Sequence, residues 1–494
     1  MYRGFLELLF DSVLVWAITK SHIGVNKDGK GQGWMPWAVF GLVMGHLTIN
    51  HIYRAFANIP LSTIEITGSQ MVLAMKLITF AWNVEDGRHT HEATGMFTFR
   101  ATGSLWCMNA IILIQYPWGY LSFFYPSIMA GPASDFATYD ALVKDTLFTF
   151  PPPSNASSAL TGSRSQKAVK KSRKPRSPAL RKTVAYQKLA VGLMFLGIYA
   201  LYGGKAGHDR ILDGKWWFSH SKLWRFGFIQ LASFIARTKY YAVWTVAEAS
   251  FSPSSRLGFN GYDTKTGKTL WNRVANVVIW DIETAQSFKV LFDSWNCRAN
   301  VRFTTGFCTF NYAYHGVCDF TGLAQGYHLQ TGYSPRKETW LPKHTYHLLD
   351  FGLLADGIID FGMLKHGVAP GYYLAFITAG FCTSLGRPFR HLIRPFFLPT
   401  PPQKSSALKT FYDLMGWFVT QSTLNYLVLP FFLLDLKSAI TGWHHMGWYG
   451  HIMIFGAYIA LKLGGRAWLI SLNKMAGRVP PKKTIPAEAK KQEF

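Results

Sequence analysis

The chain has 494 residues, 49% hydrophobic and 16% aromatic, with 16% charged and a formal net charge of +25. So low a charged share, against roughly 25% in soluble domains, excludes an ordinary soluble globule and points to an all-α polytopic membrane protein. Basic residues stand between apolar runs and aromatics lie inside them, so the positive excess reads as loops beside anionic headgroups, not as a nucleic-acid surface.

Residues 5–19 form a weak span. Glu7 and Asp11 interrupt it, which argues against a signal peptide, and Met1 leads almost directly into it, as if upstream spans were missing. Pro36 to Tyr53 and Gly68 to Val84 follow as candidate spans, the second carrying Lys76 and ending in the polar turn Trp82-Asn83-Val84-Glu85-Asp86-Gly87-Arg88. Ala101 to Ser134 is uncharged but too long for one straight helix. It breaks at Pro117, Pro126 and Gly131-Pro132, so it reads as a full helix and a re-entrant piece lining a cavity.

Residues 148–184 open on three prolines and hold nine Lys and Arg with no acid among them, the pattern of a solvated cytosolic linker. This outweighs the glycosylation sequon at Asn155. Leu189 to Gly204 is a span, and 214–249 reads as two apolar stretches broken near Arg225 and Arg237. Gly258 to Asp263 is turn-rich, and Trp271 to Asp293 reads as an amphipathic interfacial helix. Residues 301–365 show no convincing span before about Tyr346. After His366 the chain is uncharged to Gly386, then leaves the membrane through Arg387, Arg390 and Arg394. Leu414 to Leu434 and Gly447 to Leu461 are the last long spans, with His451 inside the second. The expected parts are N-terminal membrane segments (1–147), the linker (148–184), a membrane core (185–473) and a basic tail (474–494), with nine to eleven membrane segments. Five scattered cysteines without a C-x-x-C argue against a disulfide framework or metal site.

Five pieces carry a resemblance: Trp82 to Arg88; Pro126 to Pro132 with Asp135-Phe136; Gly258-Phe259-Asn260-Gly261-Tyr262; Trp295-Asn296; and His366 to Tyr373. Together, in this order, they resemble the membrane-bound O-acyltransferase superfamily, its fungal-type lysophospholipid acyltransferases above all, over residues 35–300 and 364–475. Residues 301–365 depart from that pattern. Val301-Arg302-Phe303 replaces the expected continuation and Asn296 and His366 stand 70 positions apart. The segment reads as foreign to the family, which bears on the activity of this chain.

The resemblance implies a helical bundle around an intramembrane chamber in the endoplasmic reticulum, with 185–473 as catalytic core. Acyl-CoA is the implied co-substrate and a lysophospholipid the acceptor, with no bound cofactor or metal and no nucleic acid. It makes His366 the general base and Asn296 its partner. An imidazole in apolar surroundings stays neutral and can accept a proton, and an amide can orient it without adding charge. Trp82, Asp86, Pro132, Asp135, Asn260, Tyr262, Trp295, Tyr372 and Tyr373 are the expected substrate-path residues. Read without the resemblance, Asn296 is a helix cap or satisfied amide, and the tyrosines are belt aromatics. His315-Gly316 lacks the Pro-Gly-Tyr-Tyr sequel and reads as a decoy; His89, His91, His444, His445 and His451 read as interfacial. A sterol, diacylglycerol or protein acceptor, or a non-enzymatic transporter, remains the alternative.

Overall fold

Long apolar runs without strand alternation fold as helices, because a helix satisfies its own backbone polar groups. The computed structural model describes residues 2–21, 23–26, 31–59, 66–88, 131, 181–254, 258–260, 269–297, 366–398 and 407–477. Pro132, Asp135, Tyr262, the segment 301–365 and the tail from 478 lie outside these residues, as does most of the expected linker. Among the described residues the architecture is all-α, with two isolated antiparallel bridges and no sheet. Two helical stretches there are long and apolar enough to cross a membrane, Arg181–Tyr202 and Tyr449–Met475.

Three N-terminal helices pack together: α1 (Tyr2–Lys20), α2 (Met35–Phe56) and α3 (Ile66–Arg88). Val15, Met35, Val39, Val43, Leu47, Leu77 and Ala81 form their dry core. Beside it lies a satisfied polar cluster. Asp11 bonds the His46 ring at 2.6 Å and accepts from Gln70 Nε2 at 3.1 Å, while Asn50 donates to Gln70 and Glu7. The expected polar turn at 82–88 is instead the last part of α3. Glu85 explains the difference: buried, it accepts the Gly33 N–H at 2.6 Å and draws the helix against the α1–α2 connection.

The helix α4 (Arg181–Tyr202) starts inside the stretch read as linker, so residues 181–184 are helical. A 3₁₀ turn (His208–Leu212) and the short α5 (Gly214–Phe218) lead to α6 (Lys222–Ser254). The sequence predicts breaks near Arg225 and Arg237, yet α6 runs 33 residues, about 50 Å at 1.5 Å per residue. Arg237 does not break it because Glu283 neutralises the guanidinium from outside the helix. α4 returns along α6 as an antiparallel hairpin. Lys188 pairs with Glu248 at 2.7 Å, Gly192 lies under Val246, and Phe195 meets Tyr241.

The expected interfacial helix over 271–293 is two short helices, α7 (Ile279–Glu283) and α8 (Phe288–Ser294), after an irregular stretch. The side chain of Ser287 caps α8 by accepting from Val290 N, which forces the break. α9 (Pro370–Ile393) is the hub of the C-terminal half. It touches α8, α10 (Ala407–Leu427), α11 (Leu429–Leu433), α12 (Leu436–His445), α13 (Tyr449–Ala460) and α14 (Arg466–Met475). The expected span 414–434 divides at Val428, just before Pro430, into α10 and α11. The ring of His451 bonds the Tyr426 hydroxyl and lies among Trp443, Trp448 and Phe455.

Candidate functional site

The geometry of the loop 366–371 explains its residue types. Gly367 has φ +109°, a conformation L side chains rarely adopt, and a Cβ there would lie 2.8 Å from His51 Nδ1. Pro370 starts α9 in its first turn, where the missing N–H is not needed. Gly371 donates its N–H to Leu434 O at 2.8 Å, and a Cβ there would overlap the Pro430 carbonyl oxygen. This close approach hangs the start of α9 on the α11–α12 junction.

The His366 ring is half-buried in an aromatic collar. Tyr372 lies 5.4 Å away, Phe376 is stacked at 5.8 Å and Phe431 meets it edge-on at 5.2 Å. Next to this loop, Val368 joins Ile52, Ala55 and Phe56 of α2 around an apolar cleft of about 380 Å³. Arg54 of α2 lies within electrostatic reach of the Tyr372 phenol.

Trp295 and Asn296 follow α8. Val278 N donates to Ser294 O at 3.0 Å and Cys297 N to Asn276 O at 2.9 Å, so two rungs clamp the pair. Asn296 sits at φ +48°, in the left-handed region that asparagine tolerates better than most residues. No hydrogen bond to its amide occurs among the described residues. The Trp295 ring packs on α6 against Tyr240 (5.5 Å), Tyr241 (6.0 Å) and Trp244 (5.1 Å). Tyr240 in turn lies within electrostatic reach of Tyr372. The His366–Tyr372 and Tyr240–Trp295 ring pairs therefore lie within electrostatic reach of each other across α9 and α6.

The other expected residues are placed differently. Trp82 packs edge-on against Trp37 (5.5 Å) in the N-terminal core. Asp86 occupies the last turn of α3. Asn260 donates to Asn272 Oδ1 at 2.9 Å and takes the Leu270 carbonyl, fastening a loop. Tyr373 follows Tyr372 on α9, half-buried and rotated by about 100° around the helix. The sequence reading missed Tyr240, Tyr241, Trp244 and Arg237, although their spacing on one helix puts all four along neighbouring turns. It missed His51, Arg54, Phe376 and Phe431 because no local pattern marks them.

The membrane-bound O-acyltransferase family is matched over residues 52–318, more than half of the chain. The chain belongs to this family. The matched range contains Trp295 and Asn296 and stops before His366. A lysophospholipid acyltransferase of Saccharomyces cerevisiae is 31% identical over 455 residues, covering 92% of this chain and 65% of that protein. One of Schizosaccharomyces pombe is 29% identical over 482 residues, covering 97% of this chain and 80% of that protein. A mouse membrane-bound glycerophospholipid O-acyltransferase 1 is 28% identical over 425 residues, covering 84% and 72%. The chain thus spans about two thirds of the budding-yeast relative's length.

Proposed function

We propose that this O-acyltransferase-family chain transfers a fatty acyl group from acyl-CoA to the free hydroxyl of a lysophospholipid. The reading is of a multi-pass protein of the endoplasmic reticulum membrane with nine to eleven membrane segments. The observation that carries it is the half-buried His366 ring, held in an aromatic collar on the loop whose Val368 lines an apolar cleft. The likeness to the two yeast lysophospholipid acyltransferases supports the choice of acceptor.

In this mechanism His366 takes the proton of the acceptor hydroxyl as its oxygen attacks the thioester carbonyl. The tetrahedral oxyanion collapses, the C–S bond breaks, and the departing thiolate recovers the proton from the imidazolium. The products are a diacyl phospholipid and free CoA. The Asn296 amide donates to the developing oxyanion or orients the imidazole, without a charge that the apolar site would have to solvate. Tyr372, Tyr373 and Trp295 line the path nearest the ring. Trp82, Asp86, Pro132, Asp135, Asn260 and Tyr262 remain proposed substrate-path residues.

The test is incorporation of labelled acyl-CoA by membranes bearing the wild type or His366→Ala. General-base assistance is worth about 10²–10⁴-fold, and a loss of that size is expected. Undiminished incorporation at normal expression overturns the reading. A panel of lysophosphatidylcholine, diacylglycerol and sterol acceptors checks the substrate class, with the lysophospholipid preferred.

A further inference from the structure

We propose that the tip of the α4–α6 hairpin is a binding site for the headgroup of an anionic diacyl phospholipid. The tip runs from Tyr202 to Arg225 and turns on the 3₁₀ helix and α5. Trp216 is its centre, with Trp224 edge-on at 5.3 Å, His220 at 4.8 Å and Phe228 at 5.3 Å. His220 stacks on Trp224 at 3.8 Å and bonds the Trp216 carbonyl. This rigid aromatic platform is flanked by outward apolar side chains, Leu223 at 81% and Phe218 at 56% exposure. Such rings suit the boundary between acyl chains and water.

Cations crown the platform. The Arg210 guanidinium lies over Trp216 at 5.6 Å, and that of Arg225 lies over Phe218 at 5.1 Å and Trp217 at 5.9 Å. Lys205, Lys215 and Lys222 complete the set. None of the five pairs with a carboxylate among the described residues, and Arg225 Nε is buried there with no hydrogen-bond partner. Two acids share the turn. Asp213 is occupied in capping α5, where it accepts from Trp216 N, and Asp209 leaves the balance strongly positive.

Placement makes this charge informative. α4 is 22 residues, about 33 Å, long enough to cross the hydrocarbon core. The nine basic residues of the preceding linker lie at its other end in the sequence. Positive charge that sets orientation can account for one end of a spanning helix only. The second basic cluster therefore has another purpose, and its complement at that depth is an anionic headgroup. This site is independent of the reaction proposed above, since both acylatable hydroxyls on the glycerol backbone of a diacyl lipid are already esterified.

The test uses full-length protein in phosphatidylcholine nanodiscs doped with brominated phosphatidylserine or brominated phosphatidylcholine, without acyl-CoA. Brominated phosphatidylserine is expected to quench tryptophan emission at lower mole fraction, and Trp216→Phe with Trp224→Phe to remove the excess. Lys215 and Lys222 are exposed, so Lys215→Gln and Lys222→Gln leave the fold intact. Each is expected to weaken apparent phosphatidylserine binding about fivefold. Equal quenching by the two lipids, or an excess that survives the double lysine variant, overturns the proposal.

Discussion

Arg237 and Glu283 form a two-pronged ion pair between α6 and α7, Nε to Oε1 and Nη2 to Oε2, both at 2.9 Å. Around it the Tyr241 hydroxyl donates to Glu283 Oε1 at 2.6 Å, and Arg237 Nη1 donates to Asn425 Oδ1 at 2.6 Å. Backbone carbonyls of α7 accept from Trp417 and Gln421 of α10. The pair thus fastens α7 between α6 and α10, and α7 leads into the clamp that presents Asn296. Removing one partner of a buried pair leaves an uncompensated charge and costs about 3–5 kcal/mol. Glu283→Ala is expected to lower thermal stability by that order in detergent-solubilised protein. Arg237→Lys keeps the charge but cannot make the planar double contact, and is expected to recover only part of the loss.

At Asn296, backbone and side chain can be separated. Asn296→Gly keeps the left-handed φ and removes the amide; Asn296→Ala removes the amide and adds strain of roughly 1–2 kcal/mol. If the amide serves the reaction, both lose acyl transfer while only the alanine variant also loses stability. Activity restored by glycine would show that the backbone turn alone matters.

Gly371 has no room for a side chain, its ideal Cβ falling 2.8 Å from Leu434 Cα and onto the Pro430 carbonyl. Gly371→Ala is expected to push α9 from α11, costing about 1–3 kcal/mol as overpacking does. The check is a lower melting temperature by size-exclusion thermal shift, together with reduced acyl transfer.

His208 lies in the turn between α4 and α6, outside the spanning helices. It stacks on Phe432 at 4.4 Å and bonds Ser233 Oγ at 3.1 Å. Burial, with the Arg237 charge adding to it, pushes its pKa down from 6.5 to about 4. The depressed value belongs to the folded state, so the contribution of the neutral ring is whole above about pH 6.5. It is lost as pH falls toward 4, by which point the loss is about 3 kcal/mol. His208→Gln is expected to flatten the fall in stability between those pH values, measured by thermal unfolding in a buffer series.

What was legible in the sequence was local. The apolar runs at 36–53, 68–84 and 189–204 mark α2, α3 and α4 because burial period and length are short-range properties. The uncharged run after His366 marked α9, while the need for glycine at Gly367 and Gly371 comes from His51, Pro430 and Leu434, which lie far along the chain. The errors arose where a partner far along the chain decides. Arg237 read as a break because Glu283 stands 46 residues away, and Glu85 read as loop because Gly33 stands 52 residues away. Tyr240, which packs on Trp295 and lies within electrostatic reach of Tyr372, is a residue no spacing links to either element. The roles given to His366 and Asn296 rest on the resemblance, and their test is the mutagenesis above.

The Gly371–Leu434 hydrogen bond joins main chain to main chain. Its register depends on the main chain at position 434, held at φ +63°, and not on contacts of neighbouring side chains, which are free to drift over evolutionary time without displacing the imidazole. Acyl-chain or headgroup preference could then diversify by exchanging wall residues such as Phe376 and Phe431 while the suspension point of the loop stays put. Libraries randomised at those walls should retain folded protein far more often than libraries randomised at Gly367 or Gly371.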